Sequence, residues 1–323
     1  MNESGLVASF RLDGEGGGLA MDWASIERWT PADGVLWVHL NRASDDAQQW
    51  LHERSGLSEV VVEALLAENT RPRCVQMDDG VMLFLRGINH NPGADPEDMV
   101  SIRMWIQRER VITVRMRRLM SVDDLRQALD ERSGPRTVGE LVAQLSGNLV
   151  ARMAAVIVNI DDEIDGMQEL VLDAGDAQLR NDLRDVRRRI IALRRYLAPQ
   201  RDALNRLTQI KTNWLDELDV MHLREEADRV TRYAEDLDAA RERAAVTQEE
   251  LGNRLSDQLN RRMYVLSVVA AVFLPLGFLT GLFGINVGGI PLSDNPIGFG
   301  IIVGVLILVT LLQVVIFRWR KWF

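Results

Sequence analysis

The most regularly spaced residues that could contact a ligand form a stripe of small, weakly polar side chains near the C-terminus. It emerges on counting back from Gly284 at helical spacing, through Gly281, Gly277, Leu274, Ala270, Leu266, Met263 and Asn260. The stripe offers amide and backbone oxygens but no acid–base or nucleophilic group. Such side chains can surround a hydrated ion, and a Gly-xxx-Gly pair can equally let two helices pack closely. Both interpretations stay open at this point.

Strong metal ligands and catalytic groups are missing from the same region. A dehydrated zinc site would use Cys, His, Asp or Glu, and residues 258–293 contain none of them. The single cysteine, Cys74, excludes an intrachain disulfide and a multi-cysteine zinc site. The histidines occur at no recognisable ligand spacing, at His39, His52, His90 and His222. No nucleophile–base pair is found either, so we predict neither an enzyme nor a cofactor.

Two uncharged runs of 21 residues carry the stripe and its surroundings. Residues 263–283 and 297–317 contain no charged side chain, and at about 1.5 Å per residue each can cross a bilayer core. Two buried core helices are the alternative, but a pair of such runs ending the chain favours a transmembrane hairpin. The loop between the runs has no basic residue, whereas the flanks carry Arg261, Arg262, Arg318, Arg320 and Lys321. The positive-inside rule therefore predicts that both termini are cytoplasmic.

The rest of the chain is acidic. Residues 1–262 hold 35 basic and 46 acidic side chains, a net charge of −11 against −9 for all 323 residues. A nucleic-acid partner would need a basic face, so this balance argues against one. It suits a body that works near cations.

The acidic body is predicted to hold an α/β domain followed by helices. Short apolar runs at 34–40, 81–86, 99–106 and 110–115 indicate strands, and 58–69 indicates a helix between the first two. Beyond the Ser-Gly-Pro break at 133–135, segments 137–172 and 176–197 predict an antiparallel helical pair that turns near 173–175. An apolar stripe from Leu223 to Leu255 then predicts one helix running from about residue 214 into the first span. So long a helix requires partner helices, hence an oligomer.

These elements define the predicted fold class and its domains. We predict an α+β membrane protein with an N-terminal cytoplasmic α/β domain, a long stalk helix and a C-terminal two-helix transmembrane hairpin. The predicted boundaries are 1–135 for the α/β domain, 136–212 for the helical pair, 213–262 for the stalk and 263–323 for the hairpin with its basic tail.

The end of the first span carries a family resemblance. It reads Gly284-Ile285-Asn286, behind a Phe-Leu-Pro-Leu sequence at 273–276. With the hairpin, the long helix and the acidic α/β body, this resembles the CorA superfamily of divalent-cation transporters, whose signature at this place is Gly-Met-Asn. The Gly-Ile-Asn variant, followed by Val-Gly-Gly-Ile-Pro, is similar to the zinc-transporting ZntB branch. The resemblance covers essentially the whole chain.

The resemblance implies roles for the residues named above. It implies a homopentamer whose five first-span helices line a central pore, with Gly284, Ile285 and Asn286 as the selectivity signature. The stripe from Asn260 to Gly281 would be the pore lining. Acidic residues at the pore mouths would be Glu249, Asp257 and Asp294. Because no carboxylate lies in the stripe, we expect the ion to pass at least partly hydrated, with Met263 and Leu266 as an apolar constriction.

The expected function follows from the resemblance and from the composition of the stripe. We expect a multi-pass transporter of the bacterial inner membrane that takes up Zn²⁺ and also accepts Cd²⁺, Ni²⁺ or Co²⁺, with stimulation by a proton gradient. A magnesium or cobalt transporter is the alternative within the superfamily. A membrane-anchored cytosolic sensor or scaffold is the alternative from another class.

Overall fold

The computed structural model describes residues 5–77, 79–173, 177–285 and 296–319. By internal contacts the chain divides into two units, Met1–Gln248 and Glu249–Phe323. The described elements of the first unit begin with β1 Leu6–Leu12, β2 Gly18–Ala20, α1 Trp23–Arg28, β3 Leu36–Asn41, α2 Asp45–Glu53, α3 Glu59–Leu66, β4 Arg73–Met77, β5 Gly80–Gly87, β6 Val100–Ile106 and β7 Arg110–Arg115. They continue with α4 Met120–Asp130, α5 Val138–Ala151, α6 Ala154–Asp173 and α7 Ala177–Gln209, and two further helices are α8 Glu217–Phe283 and α9 Gly298–Trp319.

The strands form one mixed sheet. The described residues give it seven strands in the order β2-β1-β3-β7-β6-β5-β4. β3 and β7 pair in parallel, and the other neighbours are antiparallel. β3, β5, β6 and β7 were predicted within two residues of their ends, because a continuous apolar run marks a strand buried on both faces.

Each face of the sheet is covered by helices. Leu36, Val38 and Leu40 of β3 pack in one apolar cluster with residues of α1, α2 and α3. On β5, the backbone N–H of Arg86 donates to Oε1 of the buried Gln200 of α7 at 2.7 Å. A side chain at Gly87 would lie too close to a methyl group of Leu149 of α5, which would then have to move, so glycine allows that helix to approach the strand closely.

The segment predicted as one helix over 137–172 is two helices. α5 ends at Ala151 and α6 begins at Ala154. At the break, Arg152 forms a two-pronged ion pair with Asp124 of α4, with N–O distances of 2.6 and 2.8 Å, and Met153 is buried. These tertiary contacts lie at the break, where no helix-breaking residue stands. The predicted pairing of the next helices is confirmed, since α6 packs against α7. The turn predicted near 173–175 falls largely on residues 174–176, which lie outside the described residues.

Ion pairs connect α6, α7 and the first part of α8. Glu163 of α6 pairs with Arg189 of α7. Arg243 of α8 reaches α6 at Asp161, 2.5 Å away, and at Asp165, 2.8 Å away. The acidic run at 161–165 thus forms ion pairs between helices. The apolar stripe predicted for α8 is buried at Leu223, Ala227, Val230, Leu237, Ala244 and Leu251.

α8 begins with two aspartates that bond each other's backbone. The N–H of Asp219 donates to Oδ1 of Asp216 at 2.7 Å, and the N–H of Asp216 donates to Oδ2 of Asp219 at 3.2 Å. Asp219 is only 2% exposed. A side chain at Gly139, in the first turn of α5, would collide with its carboxylate. Burial, together with the nearby charges of Asp216 and Glu140, raises the pKa of Asp219 to about 6, although the Asp216 N–H and His222 oppose the shift.

We expect Asp219→Asn to stabilise the protein at neutral pH. Between pH 4 and 6 the folded state binds a proton at Asp219 that the unfolded chain has lost, so stability falls as pH rises through this window. Asn keeps the acceptor for the Asp216 N–H without the charge and should remove a cost on the order of 2 kcal/mol at pH 7. Thermal unfolding of the full chain in detergent should show a higher midpoint for the variant at pH 7 and little difference at pH 4. An equal midpoint difference at both values would contradict this.

Two described helices are long and apolar enough to span a membrane, and the most apolar stretch of each is not buried within the protein. These are the end of α8 and all of α9. A third stretch, Val138–Val171, is also long and apolar enough, but half of its most apolar part is buried within the protein, as expected of core helices. Tyr264 and Trp319 are exposed near the two cytoplasmic ends predicted for the spans, where aromatic side chains favour the interface.

Candidate functional site

The last part of α8 carries the predicted stripe as one continuous helical face. In the single chain this face is open: Met263, Leu266 and Leu274 are 61%, 64% and 75% exposed, and Asn260, Ala270, Gly277 and Gly281 are exposed as well. α8 is unbroken from the stalk to Phe283. The whole stripe is therefore held in register by one helix.

The opposite face of this segment packs against α9. Its half-buried residues are Val268, Ala271, Val272, Leu276, Leu279 and Phe283. The matching half-buried residues of α9 are Ile302, Leu306, Val309, Thr310, Gln313 and Phe317. At about 100° per residue, the middle of the stripe lies roughly 180° around the helix from this packing face. The stripe is consequently free to face something other than the second span.

The two glycine pairs do not pack within the hairpin. A side chain added at Gly277, Gly281, Gly300 or Gly304 would meet no described heavy atom within 4 Å. The alternative that Gly277 and Gly281 serve close packing between the two spans of one chain is therefore not supported by the described residues. Their small size remains available for a conduit or for packing between chains.

The signature lies where α8 ends. The N–H of Gly284 donates to the carbonyls of Thr280 and Gly281 at 3.0 and 3.1 Å, which closes the last turn, and Ile285 is half exposed. A helix C-terminus carries a partial negative charge on its terminal carbonyls, which favours a nearby cation. Asn286 and Asp294 lie outside the described residues.

The predicted mouth acids on the cytoplasmic side differ in placement. Glu249 and Asp257 are both exposed. By helical rotation Glu249 lies near the edge of the stripe, whereas Asp257 lies about 135° from its middle. Glu250 is paired with Arg254 at 2.9 Å. Among the described residues, no group of three or more His, Cys, Asp or Glu side chains could hold a metal ion.

One contact between the spans was not predicted. Pro275 lacks an N–H, so the carbonyl of Ala271, four residues earlier, loses its helical donor. The side-chain amide of Gln313 on α9 donates to that same carbonyl, with an N–O distance of 3.4 Å. Gln313 thus supplies the hydrogen bond that the Ala271 carbonyl cannot receive from Pro275, in a segment predicted to lie in the membrane. The sequence feature that could have indicated this contact is the single side-chain amide of Gln313 in an otherwise apolar span, because a polar group there is costly unless it has a partner.

We expect the importance of Gln313 to depend on Pro275. Gln313→Leu should lower the thermal stability of the detergent-purified protein, because the Ala271 carbonyl loses its donor; such a bond is worth about 0.6–2 kcal/mol in a membrane. In a Pro275→Ala background the helix supplies its own N–H, and Gln313→Leu should then have little effect. Thr310→Val is the matched control, because the Thr310 hydroxyl bonds within its own helix, to Leu306 at 2.8 Å. Equal losses from Gln313→Leu in both backgrounds would contradict the pairing.

Comparison with known proteins gives one consistent family. The model of the CorA-like Mg²⁺ transporter proteins matches residues 32–320. A divalent cation transporter from Pseudomonas aeruginosa, CmaX, is 41% identical over 99% of this chain and 98% of its own. The zinc transport protein ZntB from Yersinia enterocolitica is 34% identical over 95% of this chain and 93% of its own.

Solved structures show the same fold. The full-length CmaX structure matches with a TM-score of 0.87 and 41% identity, over 100% of this chain and 99% of that chain. The CorA magnesium transporter of Methanocaldococcus jannaschii matches with a TM-score of 0.82 over 98% and 99% of the two chains. At 17% identity the second match shows the fold alone. The predicted fold class is confirmed.

Proposed function

Because the chain belongs to the CorA family of divalent-cation transporters, we propose that it takes up zinc as a homopentamer in the bacterial inner membrane. The proposed path runs along the first-span stripe of α8, and both termini are cytoplasmic. The observation that carries this proposal is the direction of the stripe. It faces away from the only other described span, so further copies of the chain can enclose it.

The chemistry of the stripe supports passage of a hydrated cation. No acidic, histidine or cysteine side chain lies in α8 from Gln258 to Phe283. A divalent ion would therefore keep water in its shell, and weak contacts to amides and carbonyls let it leave as readily as it enters. The C-terminus of α8 adds partial negative charge at the outer mouth without a trapping carboxylate.

Several copies are proposed because α8 is too long to be packed by its own chain alone. Its 67 residues run on into the first span, where the described residues leave the stripe exposed. The number five comes from the family resemblance. The basic residue Arg318 at the end of α9, with Arg261 and Arg262 before the first span, supports the proposed orientation.

Zinc is proposed as the main substrate because relatives named as zinc transport proteins align over nearly the whole chain. CmaX is named only as a divalent cation transporter, and the family description names Mg²⁺. Purified protein in liposomes loaded with a fluorescent metal indicator should admit Zn²⁺, with smaller rates for Cd²⁺, Ni²⁺ and Co²⁺. Faster Mg²⁺ than Zn²⁺ entry would favour the magnesium alternative, and no flux of any metal would favour a membrane-anchored scaffold.

Coupling to protons, if present, uses either the acids at the pore mouths or protons that move with the hydrated ion. We propose that the mouth carboxylates carry it, since neither span holds an acid or a histidine. The combined variant Asp294→Asn with Glu249→Gln should then lose stimulation of zinc uptake by an inward proton gradient and keep basal flux. The measurement is flux with and without a pH gradient. Stimulation that survives neutralisation of Glu249, Glu250, Asp257 and Asp294 would eliminate this route.

A further inference from the structure

A cavity of about 420 Å³ opens on the body between the sheet and α7. It is lined by Arg86 of β5, Arg103 of β6, Tyr196 and Arg195 of α7, and Arg117 after β7. The volume lies within the range of sites for small molecules, about 300–1,000 Å³. This cavity is far along the chain from the stripe and plays no part in the proposed conduction path.

Two arginines in the cavity are held rigidly by backbone carbonyls. Arg103, only 1% exposed, donates to the carbonyls of Leu65 at 2.9 Å and Glu68 at 3.4 Å, at the end of α3. Arg86 donates to the carbonyls of Met99 and Thr70, both at 2.6 Å. The Nε atoms of both arginines are buried and have no hydrogen-bond partner.

Aromatic contacts hold the α7 side of the cavity. The guanidinium of Arg86 lies 4.5 Å from the centre of the Tyr196 ring, and that of Arg195 lies 5.6 Å from it. Three cationic groups are thus oriented around one cavity, two by carbonyls and one by the ring face. Their positions are set before any ligand arrives, which lowers the entropy lost on binding.

The cavity is lined by more arginines than carboxylates, four against three. Neither Arg86 nor Arg103 takes part in an ion pair among the described residues. Three carboxylates also line the cavity, at Glu68, Glu97 and Asp98. Glu68 is 86% exposed and lies 3.7 Å from Arg42 instead. Burial, then the charges of Arg42 and Arg86, lowers the pKa of Arg103 to about 10, so its surroundings disfavour the cation that it carries.

We propose that this cavity binds a phosphate group, either inorganic phosphate or the phosphate of a small metabolite. Guanidinium groups that are partly buried and form no ion pair are costly, and an oxyanion in the cavity would supply the missing negative charge. Arginine forks match phosphate oxygens in paired hydrogen bonds. A multivalent anion fits better than a single carboxylate because four arginines line the cavity.

A purely structural role explains only part of this arrangement. The bonds to Leu65, Glu68, Thr70 and Met99 explain why Arg86 and Arg103 help to hold the loops around the cavity. They do not explain why Arg117 and Arg195 also line the cavity in an acidic body. An anion explains all four positions together.

Calorimetric titration of the full chain in detergent tests the proposal directly. At constant salt, inorganic phosphate, AMP and ATP are titrated separately in the absence of divalent metal. We expect at least one of them to bind with a dissociation constant below about 1 mM, within reach of a few charge-assisted hydrogen bonds. Binding of phosphate alone would identify the free ion as the ligand, and tighter binding of a nucleotide would identify a metabolite.

The variant for this experiment is Arg117→Gln with Arg195→Gln, because both side chains are exposed and their loss leaves the anchored pair in place. It should weaken binding by about tenfold. Arg188→Gln is the matched control, an exposed arginine of the same helix that pairs with Asp185 away from the cavity, and it should bind as the wild type does. Absence of binding of all three probes at millimolar concentration, or equal affinity in the double variant, would overturn the proposal.

Discussion

Replacing Asn286 with alanine is expected to abolish most metal uptake while leaving assembly intact. The residue follows the last turn of α8, and in the proposed pentamer five amides would hold the water shell of the ion. Each lost hydrogen bond is worth about 0.5–1.5 kcal/mol, and one substitution removes all five. We therefore expect the initial rate of zinc entry into liposomes to fall by about tenfold or more.

Assembly has to be measured on the same preparation. Size-exclusion chromatography in detergent should give the wild-type elution volume for Asn286→Ala, because Asn286 follows the end of α8 at Phe283 and is not part of that helix. Asn286→Gln is the matched variant, since it keeps an amide on a longer side chain and should retain part of the flux. Wild-type flux through a properly assembled alanine variant would remove the selectivity role from Asn286.

Replacing Leu266 with serine is expected to raise the metal leak through the resting protein. Leu266 is 64% exposed on the stripe, one turn after Met263. In a pentamer, five leucines at this level would form an apolar neck that excludes water and so closes the path. Five hydroxyl groups would keep the neck wet. Liposomes carrying the variant should therefore take up Zn²⁺, and also Mg²⁺, faster than the wild type in the absence of a stimulus.

A neighbouring substitution separates the gate from general loosening of the helix. Val265→Ser changes the adjacent residue, which points about 100° away from Leu266 around α8. It adds the same hydroxyl group but should leave the basal leak unchanged. If Leu266→Ser keeps a wild-type barrier, or if both variants leak equally, the constriction lies elsewhere.

The sheet and the long helices could be predicted from local patterns, but the edges of the sheet could not. β5 and β6 are continuous apolar runs, and such runs predict buried strands. The edge strands β2 and β4 were missed, because β2 has three residues and the pattern of β4, with Arg73 and Gln76 exposed, is too polar. β1, which lies between β2 and β3, was missed as well. These strands form because neighbouring strands offer them backbone partners.

The break between α5 and α6 shows the same limit for helices. Nothing at residues 151–154 disfavours a helix locally. At the break, Arg152 is held in a bidentate ion pair by the carboxylate of Asp124, 28 residues earlier. A contact of this range is set by the packing of α4 and cannot be inferred from spacing along the chain.

The candidate site, like the fold, could be predicted from the sequence only in part. Charge and length identify the two spans, and helical spacing identifies the stripe that turns away from α9. The donor for the Ala271 carbonyl could not be identified, because it requires the register between α8 and α9, which hydropathy does not contain. The roles of Gly284, Ile285 and the pore-lining residues remain predictions, as do the domain boundaries.

The central claim is that the α8 stripe lines the path of the ion, and thiol accessibility measures this most directly. In a Cys74→Ser background, cysteine is placed at Leu274 and Gly281 on the stripe, and at Val272 and Leu279 on the face that packs against α9. A charged, membrane-impermeant thiol reagent is then added to liposomes during zinc entry. We expect the reagent to block flux through the Leu274→Cys and Gly281→Cys proteins and to spare the other two. Block at Val272 and Leu279 with free flux at the stripe positions would contradict the account.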